Sequence, residues 1–187
     1  MKIGILGGTF NPIHMGHLIL AEEIRQLYLL DKVFFVPTNI PPHKDNGDIV
    51  EAFHRLRMVK LAVEDNPNFA VSDMEIKRGG RSYTIDTVKT FKNLYPNDEI
   101  YFIIGSDLFK YLDEWKDLPE IIDMVKFIVV RRPGSFDSLP SHLETVDIHT
   151  VDISGFEIRQ CIKKGRSYRY FVPERVMSYI EKNKLYR

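Results

Sequence analysis

Residues 3–17 read IGILGGTFNPIHMGH, and this stretch decides the fold. Ile3, Ile5 and Leu6 form a short apolar run that Gly7-Gly8 stops. From about Gly16 to Leu30 the apolar residues Ile19, Leu20, Ile24 and Leu27 then recur at helical spacing. The order is strand, glycine turn, helix. Met1-Lys2 followed by Ile3 to Phe10 imitates a signal peptide, but Asn11, Pro12 and His14 interrupt the apolar run before any small-residue cleavage site.

The same alternation continues outward. Val33 to Val36 reads as a buried strand stopped by Pro37, and Pro41-Pro42 opens a long polar loop to about Asp48. A helix is expected over Phe53 to Glu64, a strand over Phe69 to Met74 and a helix over Thr84 to Tyr95. Ile100 to Ile104 is almost wholly apolar, as a central parallel strand covered on both faces must be, and Gly105 ends it. Short helices fit Leu108 to Leu112 and Ile121 to Met124, strands fit Phe127 to Val130 and Val146 to Ile148, and Arg131 to His142 reads as a loop. Phe156 to Lys163 and Pro173 to Lys182 read as terminal helices. Strands alternating with helices imply an α/β fold with a parallel sheet, whose ligands bind outside the carboxyl ends of the strands. The strand-ending glycines are therefore where a site is expected. Neither GxGxxG nor GxxxxGK[ST] occurs, so a nucleotide would be held by another solution.

Composition narrows the function classes. At 187 residues the chain is expected to form a single domain, 1–187. Hydrophobic residues at 44% and charged residues at 28% are those of a folded globular protein. Lys and Arg (26) balance Asp and Glu (26), which argues against a dedicated nucleic-acid-binding surface. Cys161 is the only cysteine, which excludes an intramolecular disulfide and a cysteine-rich zinc site and fits a reducing cytoplasm. No apolar run approaches the ~18 residues that would cross a bilayer, so no membrane association is expected.

In GGTFNPIHMGH the paired glycines let main-chain N–H groups approach a phosphate, and His14 and His17 can face one side of a helical start. A zinc pair finds no HExxH motif or cysteine ligand to support it. The element resembles the HxGH signature of the nucleotidyltransferase superfamily. The remainder of the chain is similar to the bacterial nicotinate-nucleotide adenylyltransferases: PPHK at Pro41 to Lys44, HRLRM at His54 to Met58, SYTIDT at Ser82 to Thr87, GSD at Gly105 to Asp107, Trp115, RRPG at Arg131 to Gly134 and ISGFEIR at Ile153 to Arg159 occur in the family's order. The resemblance implies a Rossmann-like nucleotidyltransferase fold, with a central mainly parallel sheet flanked by helices and further helices at the C-terminal end.

It also implies site residues. His14 and His17 would be catalytic, stabilising the reacting phosphates. ATP would be bound by Gly7, Gly8, Thr9, Phe10, Lys44, Asp107, Ser154 and Arg159, with Lys44 and Arg159 on the departing pyrophosphate and Asp107 on the adenosine side. The mononucleotide would be bound by Thr84, Trp115 and Arg132: the helix start at Thr84 holding a carboxylate, Trp115 stacking on the pyridine ring and Arg132 meeting the phosphate. Thr84 is also expected as the N-cap of its helix, accepting from the N–H of Asp86 or Thr87. Mg²⁺ would be held mainly through the ATP phosphates, with no dedicated protein metal site. The partners implied are small molecules, ATP and nicotinate mononucleotide, and association into a homo-oligomer stays open.

One place departs from the family pattern. Where a second Ser and a Thr are usual, this chain has Gly155 and Phe156, so two hydroxyl donors are missing. The expectation is that the main-chain N–H groups of Gly155 and Phe156, with Ser154 and Arg159, hold the triphosphate instead, and that restoring Ser and Thr would gain little. Two other readings stay open at this level. One is a different small adenylyl- or cytidylyltransferase, acting on phosphopantetheine or glycerol phosphate. The other is a non-catalytic pyridine-nucleotide sensor.

Overall fold

The computed structural model describes residues 1–41, 49–106, 111–131, 144–149 and 151–187. Its centre is a six-stranded sheet in the order β3-β2-β1-β4-β5-β6, formed by β1 (Lys2–Gly8), β2 (Lys32–Pro37), β3 (Phe69–Val71), β4 (Glu99–Gly105), β5 (Lys126–Arg131) and β6 (Glu144–Asp147). Every neighbouring pair is parallel. The first half winds outward from β1 in one direction and the second half in the other, so the order reverses between β1 and β4 and leaves a crevice at their carboxyl ends.

Both faces are covered, which is why the central strands read as continuous apolar runs. Leu6, Tyr101, Ile103, Ile128 and Val130 point to one face, against Leu20, Ala21 and Ile24 of α1 (Met15–Leu27) and Met58, Val59 and Val63 of α2 (Ala52–Val63). Ile158 of α6 (Gly155–Lys163) and Val176 and Ile180 of α7 (Glu174–Lys182) complete that layer. Ile3, Ile5, Ile100, Phe102, Ile104, Phe127 and Val129 point to the other face, against Ile85, Val88 and Phe91 of α4 (Thr84–Leu94) and Ile121 of α5 (Leu118–Met124). The strict alternation along each strand assigns each side chain to one layer or the other. No helix among the described residues is long and apolar enough to cross a membrane.

Several boundaries differ from the sequence expectation. Helix α1 stops at Leu27, which is 58% exposed and outside the apolar stripe. Leu29 then takes a left-handed φ of 53° and the Leu30 N–H returns to the Arg25 carbonyl at 2.8 Å, which turns the Leu30 side chain into the core. The strand expected over Phe69 to Met74 ends at Val71, and a short helix α3 (Met74–Arg78) takes its place. Leu112–Glu114 is a 3₁₀ turn preceded by a turn at Tyr111, while residues 108–110 of the helix expected over Leu108 to Leu112 lie outside the described residues. Beyond Arg131 at the end of β5, the expected loop to His142 also lies outside them.

Helix α3 buries Glu75, whose Oε1 accepts from the Thr87 hydroxyl of α4 at 2.6 Å. Burial, only partly offset by that bond, pushes the Glu75 carboxyl above its ordinary range. The unfolded chain therefore releases the Glu75 proton at a lower pH than the fold does. Stability from this group is full below the unfolded value of about 4.3 and falls as pH rises through the folded one. Glu75→Gln keeps an acceptor for Thr87 and removes the titration, so its melting temperature should gain on the wild type as pH is raised from about 4 to 7. A difference that stays flat across that range in thermal melts would contradict the buried acid.

Candidate active site

At the crevice β1 runs out at Gly8, and the chain folds back on itself. Phe10 adopts a φ of 47° and buries its ring beside the space a Gly8 Cβ would fill, which lies 3.0 Å from that ring. The ring meets His17 edge-on, with centroids 5.0 Å apart, and tilts against Phe35 at 5.9 Å. Asn11 to His14 are buried, and His14, with extended backbone, is the N-cap of α1. The His14 N–H donates to His17 Nδ1 at 3.2 Å, one helical turn on. An Nδ1 that accepts carries no proton, so the neutral His17 ring presents its N–H at Nε2. The two rings lie 3.7 Å apart with their planes 32° from parallel. Gly16 makes this possible, because a Cβ there would stand 3.2 Å from His14 Nδ1. The first turn of α1 holds no acidic residue, so two imidazoles and a helix N-terminus together favour an anion.

The start of α6 converges on the same turn. Ser154 is its N-cap, and Oγ accepts from the Glu157 N–H at 3.1 Å, which leaves the hydroxyl proton to be donated elsewhere. Arg159 Nη1 donates to the Asn11 carbonyl at 2.8 Å, while its Nε is buried with no hydrogen-bond partner among the described residues. Phe156, 58% exposed, sets its ring 5.9 Å from the Arg159 guanidinium carbon. Where the hydroxyl is missing, an aromatic face thus borders the arginine.

A second group forms around the start of α4. Tyr83, not Thr84, occupies the N-cap position, and the Asp86 N–H meets the Tyr83 carbonyl at 3.2 Å. Thr84 is the first helical residue, so the expected cap is corrected; the extended backbone of Tyr83 makes the turn with no side-chain acceptor. Trp115 is half-buried, edge-on to Phe102 at 5.8 Å and tilted on Phe127 at 6.3 Å, so it packs on the core while part of it stays open. The neighbouring Lys116 Nζ stands 5.3 Å from the centre of the Tyr83 ring, joining the Trp115 turn to the start of α4. Phe102 connects the two groups, since its ring tip also lies 3.6 Å from where a Gly7 Cβ would be. Lys44, Asp107 and Arg132 lie outside the described residues.

The residue that sequence reasoning missed is Arg55, quoted within HRLRM without a role. It is 1% exposed and donates to four main-chain carbonyls: Nε to Val50 at 3.0 Å, Nη1 to Thr9 at 2.8 Å and Thr38 at 2.6 Å, and Nη2 to Asn39 at 2.7 Å. Burial lowers its pKa, yet a guanidinium stays charged. Arg55 therefore ties the turn after β1 to the loop after β2. That loop continues to the second group, where the Asn39 N–H donates to Ser82 Oγ and Asn39 Nδ2 to the Gly80 carbonyl, both at 2.9 Å. A signal was present in the sequence: Arg55 falls on the same helical face as Met58 and Val59, where a charge needs a reason. Its neighbour His54 instead bonds the Tyr179 hydroxyl of α7 through Nδ1 at 2.9 Å, a packing contact.

Gly155 also gains a reason of its own. A Cβ there would stand 3.0 Å from the Asn11 carbonyl oxygen and 3.6 Å from Arg159 Nη1, the two atoms that bond each other. Restoring a serine is therefore not the neutral change expected from sequence. Gly155→Ser should lower unfolding stability by about 0.5–1.5 kcal/mol, the scale of one disturbed hydrogen bond, in denaturant titration. An unchanged midpoint would show that the Asn11 carbonyl yields freely.

The cytidylyltransferase-like family model matches residues 5–161. The nicotinate-nucleotide adenylyltransferase of Bacillus subtilis is 44% identical over 185 residues, covering 99% of this chain and 98% of its own. A probable enzyme of the same name from Citrifermentans bemidjiense is 43% identical over 212 residues, covering 100% and 98%. The nicotinic acid mononucleotide adenylyltransferase of Plasmodium falciparum, solved in complex with NaAD, superposes with a TM-score of 0.82 at 25% identity, covering 99% of this chain and 97% of that one. With a matching sheet, a matching family model and this identity along its full length, the chain belongs to the nicotinate-nucleotide adenylyltransferase family.

Proposed function

We propose that this chain joins ATP to nicotinate mononucleotide, forming nicotinate adenine dinucleotide and releasing pyrophosphate. A mononucleotide phosphate oxygen forms the new bond to the α-phosphorus of ATP, and the bond from that phosphorus to the bridging oxygen of pyrophosphate breaks. The nucleophile is already anionic near neutral pH, so no general base is needed, and catalysis reduces to alignment and charge stabilisation. The observation that carries the reading is the His14–His17 pair, with rings 3.7 Å apart at the carboxyl end of β1, in a chain of this family.

In this reading His14 and the Nε2–H of His17 meet the α-phosphate as charge moves onto the leaving oxygen. The Gly7 to Phe10 turn, Ser154 and Arg159 hold the triphosphate. Lys44 joins Arg159 on the departing pyrophosphate, and Asp107 contacts the adenosine. The main-chain N–H groups opening α4 at Thr84 hold the nicotinate carboxylate, Trp115 stacks on the pyridine ring, and Arg132 meets the mononucleotide phosphate. Mg²⁺ enters as part of the substrate, chelated by ATP. The described side chains at the crevice, His14, His17, Ser154 and Arg159, are neutral or cationic, which suits a metal carried by the nucleotide. The single cysteine supports a cytoplasmic setting.

The test is pyrophosphate release with ATP, Mg²⁺ and a panel of mononucleotides. Turnover is expected with nicotinate mononucleotide and should be much poorer with the nicotinamide analogue, which lacks the carboxylate. Equal kcat/KM for both would remove the role given to the Thr84 helix start. His14→Ala and His17→Ala should each lower kcat by roughly 10²–10³ in folded protein, the scale of losing one preorganised donor. Stoichiometric zinc in the purified enzyme would contradict the phosphate role of the pair.

A further inference from the structure

Asn11 is gripped from several sides. Its side-chain Oδ1 accepts from the Tyr186 hydroxyl at 2.9 Å and from the Val50 N–H at 3.3 Å, and its main-chain carbonyl accepts from Arg159 Nη1 at 2.8 Å. Tyr186 stands 175 positions away in sequence, is 8% exposed and lies within the core layer formed by α1, α2, α6 and α7. It reaches that place by an unusual route. After α7 the Lys184 N–H returns to the Glu181 carbonyl at 3.2 Å and the Leu185 N–H to the Ile180 carbonyl at 3.1 Å. Lys184 and Tyr186 both take left-handed φ values, 52° and 65°. Non-glycine residues resist that conformation, so surrounding contacts must hold it, and here the result is a phenol placed against Asn11. Burial pushes the phenol well above its ordinary range, against the pull of the Arg159 and Arg55 charges, so the hydroxyl remains a donor throughout the working pH range.

We propose that Tyr186 is a positioning residue for the nucleotide: its hydroxyl fixes Asn11, and Asn11 fixes the guanidinium of Arg159. The inference rests on the reading of Arg159 as a triphosphate ligand. With Nη1 committed to the Asn11 carbonyl, the guanidinium is oriented so that its Nε–Nη2 edge, whose buried Nε has no partner among the described residues, is the fork left for phosphate oxygens. The same Asn11 side chain holds Val50, whose carbonyl Arg55 binds. Tyr186 thus acts on the ATP side: it packs in one layer of the core, whereas Trp115 and the Tyr83 that precedes Thr84 pack against the other.

The experiment is a double-mutant cycle on steady-state constants. Tyr186→Phe keeps the ring in the core and removes only the hydroxyl. It should raise KM for ATP by about 3- to 10-fold, the scale of one lost hydrogen bond, and leave KM for nicotinate mononucleotide within about twofold. Arg159→Ala should raise KM for ATP more strongly, and adding Tyr186→Phe to it should change KM for ATP by less than about twofold, because the residue through which the hydroxyl acts is gone. A Tyr186→Phe enzyme with a lower melting temperature and an unchanged KM for ATP would reduce Tyr186 to a packing residue and overturn the proposal. So would effects of the two substitutions that multiply independently. If Arg159→Ala itself leaves KM for ATP unchanged, the reading of Arg159 fails and the proposal falls with it; an effective Arg159→Ala beside a silent Tyr186→Phe would sink the proposal alone.

Discussion

A buried guanidinium organises the turn after β1 and the loop after β2. Arg55 lies within the α2 layer and spends its hydrogen bonds on carbonyls of residues 9, 38, 39 and 50, main-chain atoms just past the carboxyl ends of β1 and β2 and just before α2. Loop carbonyls that turn inward need donors, and one planar fork supplies several at fixed angles, which a lysine could not. Removing a buried charge from water is costly, and carbonyl dipoles offset only part of that cost. The guanidinium charge lies against the Gly7 to Phe10 turn, bonded to its Thr9 carbonyl. A polyphosphate bound there would meet a field already present before it arrives.

From that clamp the rest of the site follows by short links. The turn after β1 carries Phe10, whose ring packs on His17. Asn11 lies between Arg159 and Tyr186, and His14 opens the helix on which His17 rides. The loop after β2 hands the constraint to Ser82 and Gly80, just before α4. Glu75 and Thr87 then lock α3 to the first turns of α4. Both halves of the crevice are therefore tied through backbone contacts, and side chains with apparently different tasks depend on the same few carbonyls.

Much of the fold was legible because the central strands obey one rule: buried on both faces, they must be apolar throughout, as Ile100 to Ile104 and Phe127 to Val130 are. Where burial was one-sided or the element short, pattern failed. Met74 continues the apolar look of the strand before it, yet α3 begins there, because what settles the matter is the distant Thr87 hydroxyl waiting for Glu75. The site divides in the same way. His14 and His17 are three residues apart with Gly16 between them, so one short window holds the whole pair. Arg55 reaches 46 positions to Thr9, Arg159 reaches 148 to Asn11 and Tyr186 reaches 175 to the same residue. No local window contains both partners of such contacts. Thr84 shows the opposite failure: it has the right chemistry for a cap, one position too late.

The measurement that bears most directly on this account is calorimetric titration of MgATP into the wild type and Arg55→Lys. Lysine keeps the charge and loses the fork, so the variant separates electrostatic attraction from the geometry imposed on the main chain. If the clamp shapes the site proposed for ATP, a folded Arg55→Lys protein binds MgATP at least about tenfold more weakly, a loss of about 1.4 kcal/mol. An affinity within about twofold of the wild type in a folded variant would show that the turn after β1 holds its shape without the Arg55 fork.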